Sequence, residues 1–235
     1  MKLNPEYSMF DENMFMQLRH ALDGVTPPTD LELLDLSIGE PQIQAGTVLT
    51  DSLRAHNGNW QYYPKVTGTP AFIAAVCGYI RRRWPAAASL ADLTGQILPV
   101  PGTREPLALL GGIVRNTKAG SVALVTNPFY HAWRAGALAS GGEITFIDSH
   151  KETGFLPDLA QLDAALLDRT TLMYLCSPTN PHGSVMPLAY LVEALQLARR
   201  HDFLLIMDEC YADIWRGYAP PSGMLEAAAA LMTAG

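Results

Sequence analysis

The residues with the clearest chemical potential are Asp208-Glu209-Cys210-Tyr211, which directly follow the apolar stretch 203–207. The apolar stretch predicts a buried strand, and open α/β sheets bind ligands at the carboxyl ends of their strands. There, the carboxylate of Asp208 can pair with a cationic ring nitrogen, and the hydroxyl of Tyr211 can donate to a ring oxygen. The alternative is a carboxylate that caps the next turn. Glu209 and Cys210 are expected to make packing and supporting contacts, because no neighbouring base activates the thiol.

A second loop combines a glycine with a hydroxyl and a cation. Thr103 and Arg104 follow Gly102 at the expected start of a helix. Free amides and the helix dipole at such a position attract a phosphate, and Arg104 can add a charge-assisted contact. The alternative is an ordinary strand-to-helix turn with a capping threonine.

Two more loops carry aromatic and amide side chains. Phe129 and Tyr130 can stack on a planar ring, or they can simply pack in the core. Asn180 lies between two prolines that fix its direction, so its amide can bind a ring hydroxyl or phenolate; a rigid turn without a ligand is the alternative. His182 has no evident partner and is expected to be a surface or loop histidine.

These loops need a scaffold that brings strand ends together. Predicted strands alternate with predicted helices of about ten to fifteen residues, which indicates an α/β fold with a mostly parallel sheet covered by helices on both faces. Strands are predicted over 96–100, 122–126, 143–147, 171–176 and 204–208, and helices over 69–84, 103–115, 131–140, 159–167, 187–201 and 225–231.

The first 44 residues are interpreted as an arm. Phe10, Met14, Leu18 and Leu22 are spaced for one face of a helix, and residues 33–38 are expected to be extended.

Composition excludes several classes of protein. The chain has 235 residues, of which 49% are hydrophobic and 17% charged, which suits a domain with a sizeable core. Its net charge of -7 argues against nucleic acid or an anionic membrane as the main partner. Neither a membrane span nor a signal peptide is evident. Cys77, Cys176 and Cys210 form no metal-type pair, so we expect no metal site and a cytoplasmic location.

Taken in order, the motifs resemble those of the fold-type-I (aspartate aminotransferase-like, class I/II) pyridoxal 5'-phosphate (PLP) enzymes. The resemblance runs from Leu36-Ser37-Ile38-Gly39-Glu40-Pro41 through Tyr63-Pro64-Lys65-Val66-Thr67-Gly68 to the run at 208–211. Residues 98–105, 127–130, 176–181 and 220–229 are most similar to the succinyldiaminopimelate aminotransferase subgroup. That subgroup acts in bacterial lysine and diaminopimelate synthesis, with glutamate and 2-oxoglutarate as the other couple.

The resemblance implies a role for each candidate residue. Thr103 and Arg104 would bind the cofactor phosphate of their own subunit, and Tyr130 would stack on the ring. Asn180 and Tyr211 would bind the ring oxygen, and Asp208 the ring nitrogen. Tyr63 would bind the partner subunit's cofactor phosphate, and the backbone of Gly39 the substrate carboxylate. A carboxylate beside the ring nitrogen raises the pKa of that nitrogen, which keeps the ring an electron sink. By the same resemblance, the Asn127-Pro128 and Asn180-Pro181 bonds are expected to be cis, and the protein a homodimer.

Departures from the family pattern lead to further expectations. The family's Schiff-base lysine follows Asp-x-x-Tyr by a few dozen residues, and is expected beyond Gly235; Lys2, Lys65, Lys118 and Lys151 all lie upstream. The arginine that grips the substrate carboxylate is also absent. His182 replaces the more usual small or hydroxyl residue before the glycine.

We therefore expect a chain that contains no catalytic residue and is inactive alone. Residues 1–44 would be an arm and part of a small domain, and residues 45–235 an incomplete large PLP-binding domain. In this family two later strands insert beside the strand predicted over 96–100, so its edge would be unpaired. We therefore expect the chain to be either a partial sequence or a poorly soluble fragment.

Transamination of N-succinyl-L,L-diaminopimelate with 2-oxoglutarate is the first hypothesis. The alternatives are another aminotransferase (for aspartate, alanine or aromatic substrates) or a lyase of the same fold, a non-catalytic PLP-binding module, and an α/β domain without a cofactor.

Overall fold

The computed structural model describes residues 14–32, 34, 36–40, 43–44, 46–90, 93–114, 118–217 and 219–233. The chain divides into two units, Met1–Tyr63 and Pro64–Gly235, and each is described by itself. The predicted domain boundary after residue 44 stays a prediction.

The first unit contains two short helices. They are α1 (Met14–Leu22) and α2 (Thr47–Ala55), and a 3-10 helix follows at Asn57–Gln61. Of the predicted apolar face, Leu18 and Leu22 lie on α1 and are exposed, whereas Phe10 lies outside the described residues. The predicted extended segment 33–38 also includes undescribed positions, and its described part forms no strand.

The second unit is built on a four-stranded parallel sheet in the order β2-β1-β3-β4. Its strands are β1 (Val122–Asn127), β2 (Glu143–Asp148), β3 (Thr170–Cys176) and β4 (Leu204–Asp208). Its helices are α3 (Pro70–Arg83), α4 (Arg104–Gly112), α5 (His131–Ala139), α6 (Ala164–Arg169), α7 (Leu188–His201) and α8 (Met224–Thr233), with 3-10 helices at Pro85–Ser89, Leu93–Gln96, Lys151–Thr153 and Leu159–Gln161.

The central strands β1 and β3 are buried on both faces of the sheet, to which their successive residues alternately point. Val122 and Leu124 of β1 lie in one apolar cluster, which includes residues of α7 and α8. Ala123 and Val125 lie in the other, which includes residues of α4 and α5. All strand residues of β3 are buried, as expected for a central strand of a parallel sheet. The predicted fold class is therefore confirmed.

A contact between two glycines fixes how α4 and α5 cross. A Cβ added to Gly111 would overlap the backbone of Gly136. A Cβ on Gly136 would in turn overlap the hydroxyl of Tyr174, which donates to the carbonyl of Leu107 at 2.7 Å. Only glycine allows the two helix backbones to approach this closely. Each helix begins at one wall of the cavity described below.

Two predictions of secondary structure are wrong. The segment 97–100 forms no strand; Leu98 and Val100 are 66% and 39% exposed, and a strand needs a hydrogen-bonded neighbour that this segment lacks among the described residues. The predicted helix over 159–167 is two shorter elements. Asp158 caps the first through the amide of Ala160, and Asp163 caps the second through the amide of Leu166, so the chain turns between them.

Candidate functional site

The carboxyl edge of the sheet holds a cavity of about 130 Å³ that opens to solvent. Its lining residues are Thr103, Tyr130, Trp133, Cys176, Asn180, Asp208, Cys210 and Tyr211. Five residues predicted from the sequence therefore come together there, namely Thr103, Tyr130, Asn180, Asp208 and Tyr211. An engineered protein cavity of about 150 Å³ holds benzene, so this one has room for roughly one six-membered ring.

Asp208 ends β4 and is 7% exposed. Its two carboxylate oxygens accept hydrogen bonds from different neutral donors, Nε1 of Trp133 at 3.2 Å and the amide of Cys210 at 3.2 Å. Among the described residues, no lysine, arginine or histidine forms an ion pair with it. A buried carboxylate without a counter-charge is costly. Its setting therefore suits a cationic ligand atom.

At the start of α4, Thr103 lines the cavity, whereas the next residue, Arg104, does not. Gly102, just before them, has φ of +112°, a conformation that glycine readily adopts. The Thr103 side chain makes no capping hydrogen bond, so the capping alternative is wrong and the hydroxyl remains available at the cavity. Arg104 donates from Nε to the hydroxyl of Tyr130 at 3.1 Å, and this hydrogen bond raises the pKa of the guanidinium.

The two neighbouring aromatic residues have different surroundings. Phe129 stacks on Phe146 with ring centroids 5.3 Å apart, so it packs against β2. Tyr130 lines the cavity and meets Trp133 edge-on at 6.1 Å. Tyr130 is therefore the residue that can present a ring face to a ligand.

Asn180 and Tyr211 also line the cavity and lie side by side. The amide nitrogen of Asn180 donates to the hydroxyl of Tyr211 at 3.4 Å, so both groups are able to converge on a single acceptor or donor. Both predicted cis bonds, at Asn127-Pro128 and Asn180-Pro181, are present, and Ser177-Pro178 is cis as well. His182 is exposed and stacks on Phe155 with a centroid distance of 4.4 Å, in agreement with its assignment to a loop.

The cavity-lining thiols are poor nucleophiles. Burial, followed by the negative charge of Asp208, raises the pKa of Cys210 to about 12. Burial likewise raises the pKa of Cys176 well above its ordinary range. Glu209 does not line the cavity, and its carboxylate accepts a hydrogen bond from the amide of Met224 at 2.7 Å, at the start of α8. The predicted supporting roles of Glu209 and Cys210 fit these contacts.

Sequence reasoning missed Trp133. Its indole is 1% exposed, and it holds one oxygen of Asp208 from the first turn of α5. The available signal was its spacing, since Trp133 lies in the first turn of α5, three residues after Tyr130, which directly precedes that helix. Spacing does not reveal, however, which buried aromatic residue donates to a carboxylate.

The remaining candidates lie outside this cluster. Gly39 and the 99% exposed Tyr63 belong to the first unit, and their roles stay predictions. None of the cavity-lining residues is a lysine. Lys118 donates from Nζ to the carbonyls of Thr170 and His201, both at 2.6 Å, where β3 begins and α7 ends. Within the described part of the chain, no helix is both long and apolar enough to cross a membrane.

A parallel sheet covered on both faces, with a polar cavity at its carboxyl edge, defines an α/β ligand-binding domain. The family model for aminotransferase class I and II matches residues 32–233 of this chain. The chain belongs to this family, whose members depend on PLP and act on amino acids and 2-oxo acids.

Relatives of known sequence or structure agree with this assignment. The LL-diaminopimelate aminotransferase of Moorella thermoacetica is 30% identical over 195 residues, which are 82% of this chain and 49% of that protein. A crystal structure of an aminotransferase from Neisseria meningitidis superposes with a TM-score of 0.83 at 32% identity, over 94% of this chain and 56% of that one. Aminotransferase AspB from Helicobacter pylori gives 0.81 at 30% identity, over 97% and 56%. The chain thus spans about half the length of the relatives it matches.

The described residues fit the family's cofactor. Asp208 is a buried carboxylate without a cationic partner, as a protonated pyridine nitrogen requires. The cavity has room for one ring, and Tyr130 forms part of its wall. The hydroxyl of Thr103 makes no capping hydrogen bond and lies at a helix N-terminus, a position that favours phosphate binding.

Proposed function

We propose that this chain provides the PLP-binding half of an aminotransferase. The observation that carries the proposal is the buried carboxylate of Asp208, which has neutral donors on both oxygens and faces a ring-sized cavity. When bound, PLP supplies an electron-accepting ring that withdraws negative charge from a substrate carbon.

The residues of the chain divide the work of binding and orientation. Asp208 would hold the proton on the ring nitrogen, because a negative charge nearby favours the protonated form. Tyr130 would fix the plane of the ring, and Asn180 with Tyr211 would bind the ring oxygen.

The phosphate would be held by Thr103, Arg104 and the free amides of the first turn of α4. For Arg104 this means exchanging or sharing its present hydrogen bond to Tyr130. The roles of Gly39 toward the substrate carboxylate and of Tyr63 across a homodimer interface come from the resemblance alone. The cytoplasmic location stays a prediction from the spacing of the cysteines.

A binding experiment tests the cofactor site without requiring turnover. Pyridoxine 5'-phosphate lacks the aldehyde and cannot react with surface lysines, so quenching of tryptophan fluorescence would report reversible binding only. Asp208→Asn preserves shape but removes the charge. We expect it to weaken binding about 10- to 100-fold, because a hydrogen bond to a charged group contributes about 1.5–3 kcal/mol.

Asp168→Asn is the matched control, since Asp168 is an exposed carboxylate paired with His201 and lies just before β3, at the opposite edge of the sheet. It should bind the vitamer like the wild type. Equal affinity of the Asp208→Asn and wild-type proteins would contradict the proposed site.

For the substrate, we propose N-succinyl-L,L-diaminopimelate with 2-oxoglutarate, on the strength of the motif resemblance. LL-diaminopimelate is the second candidate, because the Moorella thermoacetica relative is named for it. Expressing the complete reading frame of the gene and measuring glutamate formation with each donor, and with aspartate, would rank them by kcat/KM. Binding of PLP without turnover of any donor would favour the non-catalytic module instead.

A further inference from the structure

A polar cluster outside the cavity joins α3 to the loop that follows β4. Tyr79 and Arg83 lie one turn apart on α3, and both bind Asp213. The Tyr79 hydroxyl donates to Oδ2 of Asp213 at 2.8 Å, and Nε of Arg83 donates to Oδ1 at 2.8 Å. Both carboxylate oxygens are therefore held by the same helix.

The guanidinium of Arg83 also binds the loop backbone at two points. Its Nη2 donates to the carbonyl of Ala212 at 2.8 Å and to that of Pro221 at 3.0 Å. The Arg83 side chain is only 9% exposed and lies 4.8 Å from the centroid of the Trp84 ring. One side chain thus connects both ends of the loop to α3.

The loop segment that Arg83 holds is the one that carries cavity residues. The carbonyl of Glu209 accepts from the amide of Ala212, and that of Tyr211 from the amide of Ile214, both at 2.9 Å, so residues 209–214 form a tight turn. The side chain of Tyr211 and the amide of Cys210, which binds Asp208, project from this turn toward the cavity. Arg83 therefore binds the turn at Asp213, two residues after Tyr211.

We propose that Arg83, Asp213 and Tyr79 are positioning residues for the candidate site: they hold the turn 209–214 so that Tyr211 and the Cys210 amide stay at the cavity. The role toward a cofactor rests on the proposed function, whereas the role toward the turn does not. Arg81 and Arg82, in the same last turn of α3, are exposed, so basic character at this helix end does not by itself require such contacts.

Cys210 is a reporter within the turn. Burial and then Asp208 raise the pKa of its thiol to about 12, whereas an ordinary value is 9.0; Tyr211 and Cys176 also lie nearby. Releasing the turn should return the thiol toward that ordinary value. At pH 8 the thiolate fraction would then rise about 1,000-fold while its intrinsic nucleophilicity falls about 30-fold, a net acceleration of alkylation of about 30-fold.

The experiment compares Arg83→Met with Arg82→Met in the absence of cofactor. Alkylation by iodoacetamide between pH 7 and 10 would be followed at each cysteine by peptide mass spectrometry; Cys77, which is buried and does not line the cavity, serves as the internal reference. We expect Cys210 of Arg83→Met to react about 10- to 30-fold faster at pH 8, and Arg82→Met to match the wild type. Arg83→Lys should resemble Arg83→Met, since an ammonium cannot reproduce the planar fork.

Tyr79→Phe and Asp213→Asn carry the test if Arg83→Met does not fold, and each should accelerate Cys210 by a smaller factor. A purely stabilising role would lower the melting temperature and leave the pH profile of Cys210 unchanged in the folded variants, which would overturn the proposal. Affinity for pyridoxine 5'-phosphate separates the two proposals. If the wild type binds none while the Cys210 profiles differ as expected, the positioning cluster stands and the cofactor assignment fails.

Discussion

The hydrogen bond between Trp133 and Asp208 offers a quantitative test of the site. Trp133→Phe removes the only polar group of a side chain that is 1% exposed, and it leaves one oxygen of Asp208 without its donor at 3.2 Å. A hydrogen bond to a charged group contributes about 1.5–3 kcal/mol, and more of that is felt where water cannot replace the donor. The substitution also removes ring volume, which adds a packing loss.

A double-mutant cycle separates the hydrogen bond from the packing. The free energy of unfolding would be measured by urea denaturation at pH 7, followed by far-ultraviolet circular dichroism, for wild type, Trp133→Phe, Asp208→Ala and the double variant. We expect Trp133→Phe to cost about 1.5–3 kcal/mol less in the Asp208→Ala background than in the wild type, because the hydrogen bond is already gone.

Trp84 provides the matched control. It is also buried, at 6% exposed, but its Nε1 has no hydrogen-bond partner among the described residues. Trp84→Phe should therefore cost the same in both backgrounds, within about 0.5 kcal/mol. If Trp133→Phe also cost the same in both backgrounds, within about 0.5 kcal/mol, the assigned hydrogen-bond coupling would be refuted.

Two further perturbations have outcomes set by the structure. In urea denaturation, Gly136→Ala should lower the free energy of unfolding by about 1–3 kcal/mol or more, because the added methyl overlaps the Tyr174 hydroxyl. Gly112→Ala is the control, since its added Cβ would meet nothing within 4 Å, and it should be neutral or stabilising. Hydrogen bonds from Tyr79 and then Arg83 hold the pKa of Asp213 below its ordinary value of 3.8, so its contribution to stability is present above that pH and is lost as the pH falls further. The stability difference between wild type and Asp213→Asn should accordingly shrink in urea denaturation below pH 4; a constant difference from pH 3 to 6 would contradict this.

Much of the fold was accessible from sequence because the sheet is parallel and buried on both faces. The apolar runs that form β1, β3 and β4 are continuous, and each ends at a polar or small residue. Since parallel strands end at one edge, the residues that follow them must meet. This is why Asp208, Asn180 and Tyr130 could be grouped before any distance was known.

The predictions that were wrong or missing depend on contacts between distant parts of the chain, or on local signals that compete. The segment 97–100 has the apolar character of a strand, but pairing depends on a neighbour elsewhere in the chain. The helix expected over 159–167 is divided by Asp163, whose capping tendency competes with the apolar periodicity around it. Arg83 binds Asp213 across 130 residues of sequence, and no local pattern indicates which of three consecutive arginines turns inward.

The crossing of α4 and α5 has a consequence for how a ligand would be gripped. Because the backbones of Gly111 and Gly136 touch directly, no side chain lies between the helices at their crossing point. Thr103 and Tyr130 directly precede the two helices, so the contact between the helix backbones sets the distance between these two residues. Substitutions elsewhere in the core can therefore change the stability of this region without changing the width of the ligand that fits between Thr103 and Tyr130.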